Sequence, residues 1–184
     1  MCACHSNELR VIIPTIAVIK KRVCLLGAFG VGKTSLVRHF VHSIFDEKYH
    51  STIGVKVDKK VVVVGEEEVT MMLWDIAGEE EFFQIPESYV SGASGCLFVA
   101  DGTRPETVET LKAIRQRIFG KLGENLPNTI LINKSDLAEE WKLTDDTRIA
   151  LEADGTRCLV TSAKTGACVE EGFAHLAERM VTGY

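Results

Sequence analysis

The sequence predicts an α/β domain built on a mainly parallel β-sheet, and two observations lead to this prediction. Short apolar runs typical of buried strands alternate along the chain with segments whose apolar residues recur at helical spacing. In addition, the glycine-rich residues 27–34 stand between the first such run and the first such helix, as in a strand–loop–helix unit. A ligand site is therefore expected at the carboxyl ends of the strands.

The composition is that of a single domain without extreme bias. The chain has 184 residues, of which 46% are hydrophobic and 26% charged, and its formal net charge is −5. Nucleic acid is not expected as a partner, because no basic stripe is evident. No apolar run approaches the length of a membrane span, and Pro14 breaks the short run that follows Arg10, so no signal peptide is evident. A cytoplasmic protein is expected.

Residues 1–16 are interpreted as an N-terminal extension and residues 17–184 as the domain. A metal site or acylation at Cys2 and Cys4, beside His5, is conceivable, but a frayed terminus is the simpler interpretation. Three further cysteines lie in apolar runs and are expected to be core thiols in a reducing compartment: Cys24, Cys96 and Cys158.

The segment Gly27-Ala28-Phe29-Gly30-Val31-Gly32-Lys33-Thr34 fits the phosphate-binding pattern of a Gly, four residues and Gly-Lys-Ser/Thr. An apolar strand-like run, 17–26, precedes it, and a helix from Ser35 to about residue 44 follows. Glycines let the backbone wrap around an anion, so the amides of Gly30 through Ser35 can point at phosphate oxygens. Lys33 would reach the outer phosphates and the Thr34 hydroxyl would hold Mg²⁺. The alternative is a glycine-rich turn with a surface lysine.

The next part of the chain predicts a loop at residues 45–54 and then a β-hairpin. Val55 to Val64 and Val69 to Trp74 are the strands, with the turn at Gly65-Glu66. Lys59 and Lys60 are interpreted as guards of an edge strand.

Asp75-Ile76-Ala77-Gly78 closes the second strand of this hairpin. An Asp at the carboxyl end of a strand, beside a phosphate loop, can hold Mg²⁺ through a water molecule, and Gly78 offers an amide without a side chain in its way. A plain strand-ending turn is the alternative.

The second half of the chain continues the alternation of strands and helices. Residues 79–90 are expected to be irregular. The predicted elements are a strand at 96–100, a helix from Pro105 to near Gly120, a strand at 129–132, a short helix from near Asp145, a strand at 157–160 and a last helix at about 169–180.

Two polar segments at strand ends have the chemistry to recognise guanine. In Asn133-Lys134-Ser135-Asp136, the Asp136 carboxylate can accept both the N1–H and the 2-amino group of guanine, whereas adenine would leave it unpaired. Asn133 can hold N7 and the loop, and the Lys134 stem can lie over the base. In Ser162-Ala163-Lys164, the amide of Ala163 is expected to be exposed and to meet the guanine oxygen. Polar strand-to-helix turns are the alternative.

Four segments now stand in one order along the chain: 27–34, 75–78, 133–136 and 162–164. Together they make the chain resemble the small GTPases of the Ras superfamily. Ser51-Thr52-Ile53-Gly54-Val55 and Leu73-Trp74-Asp75 make it most similar to the Rab branch, over residues 17–181. The resemblance implies a P-loop NTPase fold, the G domain, with a six-stranded, mostly parallel sheet, one antiparallel edge strand and five helices. It also implies binding of GDP or GTP with Mg²⁺, and GTP hydrolysis.

The resemblance further implies roles for individual residues. Thr52 would sense the γ-phosphate and complete the Mg²⁺ shell with Thr34. The Gly78 amide would meet the γ-phosphate, Phe45 would pack beside guanine, and Tyr49 would cover the phosphates. Loops 45–54 and 76–90 would be the two switches. Effectors would meet a surface that includes Ile53, Val57, Trp74 and Tyr89, where Val57 replaces an aromatic residue usual in Rab proteins.

Two departures from the family pattern predict slow hydrolysis. Glu79 stands where the family usually has the glutamine that orients the attacking water; a carboxylate cannot donate an amide hydrogen bond, and it brings negative charge toward the γ-phosphate. Phe29 occupies a position that is often small, and its ring would crowd the entry of an activating arginine. Alternatively, Glu79 points to solvent and another group orients the water.

The expected partners are a guanine nucleotide and proteins of three kinds: effectors, exchange factors and activating proteins. The chain itself is expected to be monomeric. No cysteine lies near Thr182-Gly183-Tyr184, so a C-terminal lipid anchor is not expected. A second reading is a GTP-binding adaptor that hydrolyses slowly or not at all. A P-loop kinase or ATPase is disfavoured, because Asp136 would discriminate against adenine.

Overall fold

The computed structural model describes residues 19–46, 52–78 and 85–183. Six strands in these ranges form one sheet in the order β2-β3-β1-β4-β5-β6. The strands are β1 (Ile19–Gly27), β2 (Val55–Val64), β3 (Glu67–Ile76), β4 (Gly95–Asp101), β5 (Asn128–Asn133) and β6 (Cys158–Val160). All neighbouring strands are parallel except β2 and β3, which are antiparallel, with β2 at the edge. The predicted sheet is confirmed.

Five α-helices in the described ranges flank the sheet, as the resemblance implied: α1 (Lys33–His42), α2 (Glu87–Val90), α3 (Glu106–Leu122), α4 (Asp145–Glu152) and α5 (Val169–Thr182), with a short 3-10 helix at Ala138–Glu140. Helices α1 and α5 cover one face and share its core, where the rings of Phe40 and Phe173 stack with centroids 3.9 Å apart. Helix α3 packs on the other face together with α2 and α4. None of the helices in the described ranges is both long and apolar enough to cross a membrane.

The central strands explain why the fold is readable from the sequence. Every residue of β4 and β5 is buried, because helices cover both faces of the sheet at these strands. Both strands therefore appear as short apolar runs that end in a polar residue, Asp101 or Asn133. Because the strands are parallel, these polar residues come to lie side by side at one edge of the sheet, where they pair in register.

Three details differ from the expectations. Helix α3 passes through Gly120 and ends at Leu122, followed by Gly123 with φ 96°. A short helix, α2, lies in the stretch expected to be irregular. Lys60 is not an edge guard: alternate residues of a strand face opposite sides, so its ammonium lies 4.3 Å from the centre of the Phe40 ring and pairs with Glu170 at 3.0 Å. Of the two lysines Lys59 and Lys60, only Lys59 is exposed.

Several sequence predictions lie outside the described residues. They concern the extension 1–16 with Cys2, Cys4 and His5, as well as Tyr49 and Glu79.

Candidate functional site

A cleft of about 400 Å³ lies at the carboxyl ends of the strands. Its walls bring together all four segments that the sequence singled out, although they span residues 27–164. The predicted site residues that line it are Gly30, Gly32, Lys33, Thr34, Ser35, Phe45, Thr52, Gly78, Asn133, Lys134, Asp136, Ala163 and Lys164, with Phe29 beside them. Of the remaining predicted residues, Gly27, Val31, Asp75 and Ser162 are buried.

The loop between β1 and α1 is folded around its own lysine. Gly30 and Gly32 adopt positive φ angles of 72° and 100°, and α1 begins at Lys33. Lys33 is 6% exposed, and its ammonium donates hydrogen bonds to the carbonyls of Gly27 at 3.2 Å and Ala28 at 3.0 Å. The loop thus holds a buried positive charge next to the amides at the positive end of a helix, which is an arrangement suited to an anion.

Two glycines are required by close packing around this loop. A Cβ atom on Gly32 would lie 2.3 Å from Nδ2 of Asn133. A Cβ atom on Gly78 would lie 2.4 Å from Cα of Phe29 and 2.7 Å from the carbonyl carbon of Ala28. The backbone at Gly78 therefore lies against the phosphate-binding loop, with no room for a side chain.

Thr34, Thr52 and Asp75 form a cluster of oxygen atoms at the start of α1. The Thr34 hydroxyl donates to Oδ2 of Asp75 at 2.6 Å, and Oγ1 of Thr52 lies 2.7 Å from Oγ1 of Thr34. Asp75 is 1% exposed, and burial raises the pKa of its carboxyl, although the Thr34 hydrogen bond and the charge of Lys33 act in the opposite direction.

This cluster fits a small divalent cation. Two hydroxyls and a carboxylate are the hard oxygen ligands that Mg²⁺ prefers, in part through water. Oδ1 of Asp75 is buried and has no hydrogen-bond partner among the described residues. Such an atom is suited to contact a cation or a water molecule bound to that cation. No group of three or more His, Cys, Asp or Glu residues suited to a metal occurs in the described ranges.

Asn133 links the loop between β1 and α1 to the segment that follows β6. Its Nδ2 donates to the carbonyl of Val31 at 3.0 Å, and its Oδ1 accepts from the amide of Ala163 at 3.0 Å. The Ala163 amide was expected to be exposed, but it is engaged by Asn133, and the residue is only 3% exposed. Asp136 is itself exposed and accepts a hydrogen bond from Oγ of Ser162 at 2.6 Å, which orients the carboxylate.

Sequence reasoning missed a buried carboxylate beside these loops. Asp101 ends β4 and is fully buried; it accepts from Nζ of Lys134 at 2.6 Å and from Nε of Arg104 at 2.9 Å. Arg104 also donates to the carbonyl of Phe29 at 2.9 Å. Burial opposes ionisation of Asp101, but hydrogen bonds from Lys134, Thr103 and Arg104 outweigh it and lower its pKa. The Asp-Gly pair at the end of a buried strand was the available signal.

The predicted effector residues are presented unequally. Ile53 is 93% exposed and Val57 is 44% exposed. Trp74 and Tyr89 are half-buried, with the guanidinium carbon of Arg22 3.5 Å from the centre of the Trp74 ring. Arg22 also donates to the carbonyl of Tyr89 at 3.0 Å. The aliphatic residues are therefore the more accessible part of this surface, and Arg22 covers Trp74.

The mainly parallel sheet and the loop that folds around Lys33 define a P-loop NTPase domain of the G-domain type. The family model described as the Ras family matches residues 22–182. The chain is 30% identical over 173 residues to Ras-related protein Rab-7b of Mus musculus, and 30% identical over 166 residues to Ras-related protein Rab-7b of Homo sapiens. Each match covers 89% of this chain and 83% of the relative.

The chain therefore belongs to the Ras family and is Rab-like. Members of this family are GTP-binding proteins that act as GTPase switches, and this membership makes the chain a small GTPase.

Proposed function

We propose that the chain binds GDP or GTP together with Mg²⁺ in the cleft, hydrolyses GTP to GDP and phosphate, and switches state through segments 45–54 and 76–90. The observation that carries this proposal is the convergence in one cleft of Lys33, the Thr34–Thr52–Asp75 cluster and Asp136. A positive charge, a set of hard oxygen ligands and a purine-recognising carboxylate are the three parts that a guanine nucleotide with its metal requires.

The phosphates would lie over the loop from Gly27 to Ser35. The amides from Gly30 through Ser35 would donate to phosphate oxygens, and Lys33 would exchange its two backbone carbonyl partners for the outer phosphates. Thr34 and Thr52 would hold Mg²⁺ directly, and Asp75 would hold it through water. When bound, this ion would neutralise negative charge on the phosphates.

The base would lie between Phe45, the Lys134 stem and the loop Ser162-Ala163-Lys164. Asp136 would accept the N1–H and 2-amino protons of guanine, and the hydrogen bond from Ser162 supports this role because it fixes the carboxylate. Asn133 supports the geometry of both ends, since it bonds to Val31 and to Ala163. The Ala163 amide would turn from Asn133 toward the guanine oxygen.

The switching mechanism rests on the two residues that touch the phosphate-binding loop from outside. Thr52 and Gly78 belong to the two proposed switch segments, and both lie within contact distance of that loop. A γ-phosphate would engage the Thr52 hydroxyl and the Gly78 amide, and Tyr49 would cover the phosphates. Loss of the γ-phosphate removes these contacts, which loosens both segments. Effectors would meet Ile53, Val57, Trp74 and Tyr89, and exchange and activating proteins are the expected regulators.

Hydrolysis is proposed to be slow. Glu79 supplies a carboxylate where the family uses a glutamine, so the attacking water would lack an amide donor beside it. Phe29 lines the cleft and is 36% exposed, and its backbone lies against Gly78, so its ring would stand near the γ-phosphate. This position of Phe29 favours one further candidate function, that of a GTP-binding adaptor with little turnover.

Guanine selectivity tests the proposed base site. Asp136→Ala should weaken the affinity for GDP by about a hundredfold or more, because a charge-assisted pair of hydrogen bonds is lost. The measurement is displacement of a fluorescent GDP analogue by GDP and by ADP. Asp146→Ala is the matched control, since Asp146 is an exposed carboxylate on α4 outside the cleft. An unchanged GDP affinity in Asp136→Ala, or displacement by ADP as effective as by GDP, would contradict the assignment.

A further inference from the structure

A second cleft, of about 720 Å³, lies at the opposite end of the sheet from the nucleotide site. It is bounded by α3, the α3–β5 loop, the turn between α4 and β6, and the end of α5. We call it the back cleft and define it by Arg115, Asn128, Asp154, Thr156 and Arg179. Asn128 begins β5 and Asn133 ends it, so a strand of roughly 17 Å separates the two sites.

Three buried polar atoms of the back cleft have no hydrogen-bond partner in the described part of the chain: Nε of Arg115, Nε of Arg179 and Oδ1 of Asn128. Asn128 is only 5% exposed, and its Nδ2 donates to the carbonyl of Leu126 at 3.1 Å, which fixes the orientation of the amide. Buried polar atoms in proteins are nearly always paired. The residues that line the back cleft therefore include two unpaired donors and one unpaired acceptor.

The charges of the back cleft favour an anion. The guanidinium of Arg115 donates to Asp154 at 2.6 Å and to Thr156 at 2.5 Å, so one arginine is held in place and neutralised. The guanidinium of Arg179 has no carboxylate within ion-pair distance among the described residues. At the rim, Lys112 pairs with Glu109 at 2.8 Å, and Glu124 adds a carboxylate. Arg115 and Lys112 are thus both ion-paired, and Arg179 is the cationic side chain of the back cleft without a carboxylate partner in the described ranges.

We propose that the back cleft binds a small oxyanion that also carries a hydroxyl group. The oxygens of the anion would accept from the two arginine Nε donors, because guanidinium groups pair strongly with oxyanions. The hydroxyl would donate to Oδ1 of Asn128, which an anion with acceptors alone would leave unpaired. Hydrogen phosphate and small hydroxycarboxylates share this chemistry, whereas sulfate at neutral pH has no proton to donate.

The test uses the full chain loaded with GDP and Mg²⁺, so that the nucleotide site is filled and its own properties do not enter the result. Inorganic phosphate, glycolate and sulfate are titrated separately and followed by amide chemical shifts in NMR spectra. Phosphate or glycolate should bind saturably, with shifts at residues of the back cleft such as Asn128, Gly155 and Gly183. Sulfate should bind about tenfold more weakly, because a hydrogen bond to a buried group is left unmade.

Two variants show whether the site is specific. Arg179→Gln should weaken binding of the tighter anion about tenfold or more. Arg148→Gln, which removes the same charge from the surface of α4 outside the cavity, should leave it unchanged. Retention of GDP reports that each variant is folded. If Arg179→Gln does not fold, Asn128→Asp is used instead. This substitution keeps nearly the same side-chain shape but adds a negative charge that repels the anion, so it should abolish binding.

Three results would overturn the proposal. The first is the absence of saturable binding by both phosphate and glycolate. The second is equal weakening by Arg179→Gln and Arg148→Gln, which would indicate unspecific attraction by surface charge. The third is sulfate binding as tight as that of phosphate and glycolate, which would exclude the role of Asn128.

Discussion

Thr34 is the residue at which the phosphate-binding loop, β3 and the segment around Thr52 meet. Its hydroxyl donates to Asp75 and lies within hydrogen-bond distance of Thr52. Because Asp75 is 1% exposed, its carboxylate depends on this donor for the pairing of one oxygen, and the other oxygen has no partner in the described ranges. One hydroxyl therefore orients a buried carboxylate that we propose to hold a cation.

Replacing Thr34 by Val should abolish the effect of Mg²⁺ on nucleotide retention, because it removes the hydroxyl that is proposed to hold Mg²⁺ directly. It should also lower the free energy of unfolding by about 1–3 kcal/mol, since the buried Asp75 loses its donor. The rate of GDP release is measured at increasing Mg²⁺ concentration, with Thr34→Ser as the control that keeps the hydroxyl. If Thr34→Val and the native chain respond to Mg²⁺ alike, the assignment of this cluster is wrong.

The residues of the candidate site could be predicted from the sequence where they belong to a local sequence pattern. The phosphate-binding loop is one continuous segment, so Lys33 and Thr34 could be predicted directly. The network of Asp101, Arg104 and Lys134 could not, because it depends on the register that places Asp101 beside Asn133 on neighbouring strands. Sequence patterns indicate that a strand ends in a polar residue, but not which loop that residue will contact.

At the scale of elements, α1 and α5 are joined by aromatic stacking under the sheet. Phe40 and Phe173 are fully buried, their ring planes are inclined by only 7°, and Lys60 lies over Phe40. The apolar faces of α1 and α5 were visible in the sequence as apolar residues at helical spacing. The ring stacking and the contact of Lys60 with Phe40 arise instead from packing between distant segments. Helix α1 begins at Lys33, so this contact also supports the position of the phosphate-binding loop.

Phe173→Ala should lower the free energy of unfolding by roughly 3–5 kcal/mol, because it removes a buried ring and leaves a cavity against Phe40. Chemical denaturation of the GDP-loaded protein measures this change. Ile149→Ala is the control, since Ile149 is 58% exposed on α4 and its loss should change stability by only about 0.5 kcal/mol or less. Equal effects of the two substitutions would show that the α1–α5 contact contributes little.

The ends of the elements were less predictable than their presence. Helix α3 continues through Gly120 because the apolar face that packs on the sheet outweighs the unfavourable helix propensity of one glycine. The helix ends instead where Gly123 adopts a positive φ. In contrast, α4 begins at Asp145 as expected, because Thr144 caps it by accepting a hydrogen bond from the amide of Thr147.

At the scale of the whole molecule, the sheet and its helices shield three of the thiols. Cys24, Cys96 and Cys158 are buried free cysteines, whereas Cys168 is exposed. Burial raises the pKa of Cys24 to about 11 and that of Cys158 to about 12, and it raises the pKa of Cys96 well above its ordinary value. At pH 8 these three groups are almost entirely thiols, which are poor nucleophiles.

Brief alkylation at pH 8 should therefore label Cys168 and leave Cys24, Cys96 and Cys158 unmodified while the protein is folded. Mass spectrometry of the digested protein identifies the labelled positions, and the same reaction in denaturant, where all four should react, is the control. Labelling of Cys24 or Cys158 at the rate of Cys168 would show that the core opens readily.

For the whole molecule, we propose that Glu79 restrains the turnover of this GTPase switch. Single-turnover hydrolysis of preloaded GTP with Mg²⁺, for the native chain and for Glu79→Gln, tests this claim most directly. We expect that the native chain converts bound GTP to GDP slowly and that Glu79→Gln is faster by about tenfold or more, because an amide donor can then orient water and charge repulsion is removed. Equal rates in the two proteins, or stable GTP in both, would contradict it.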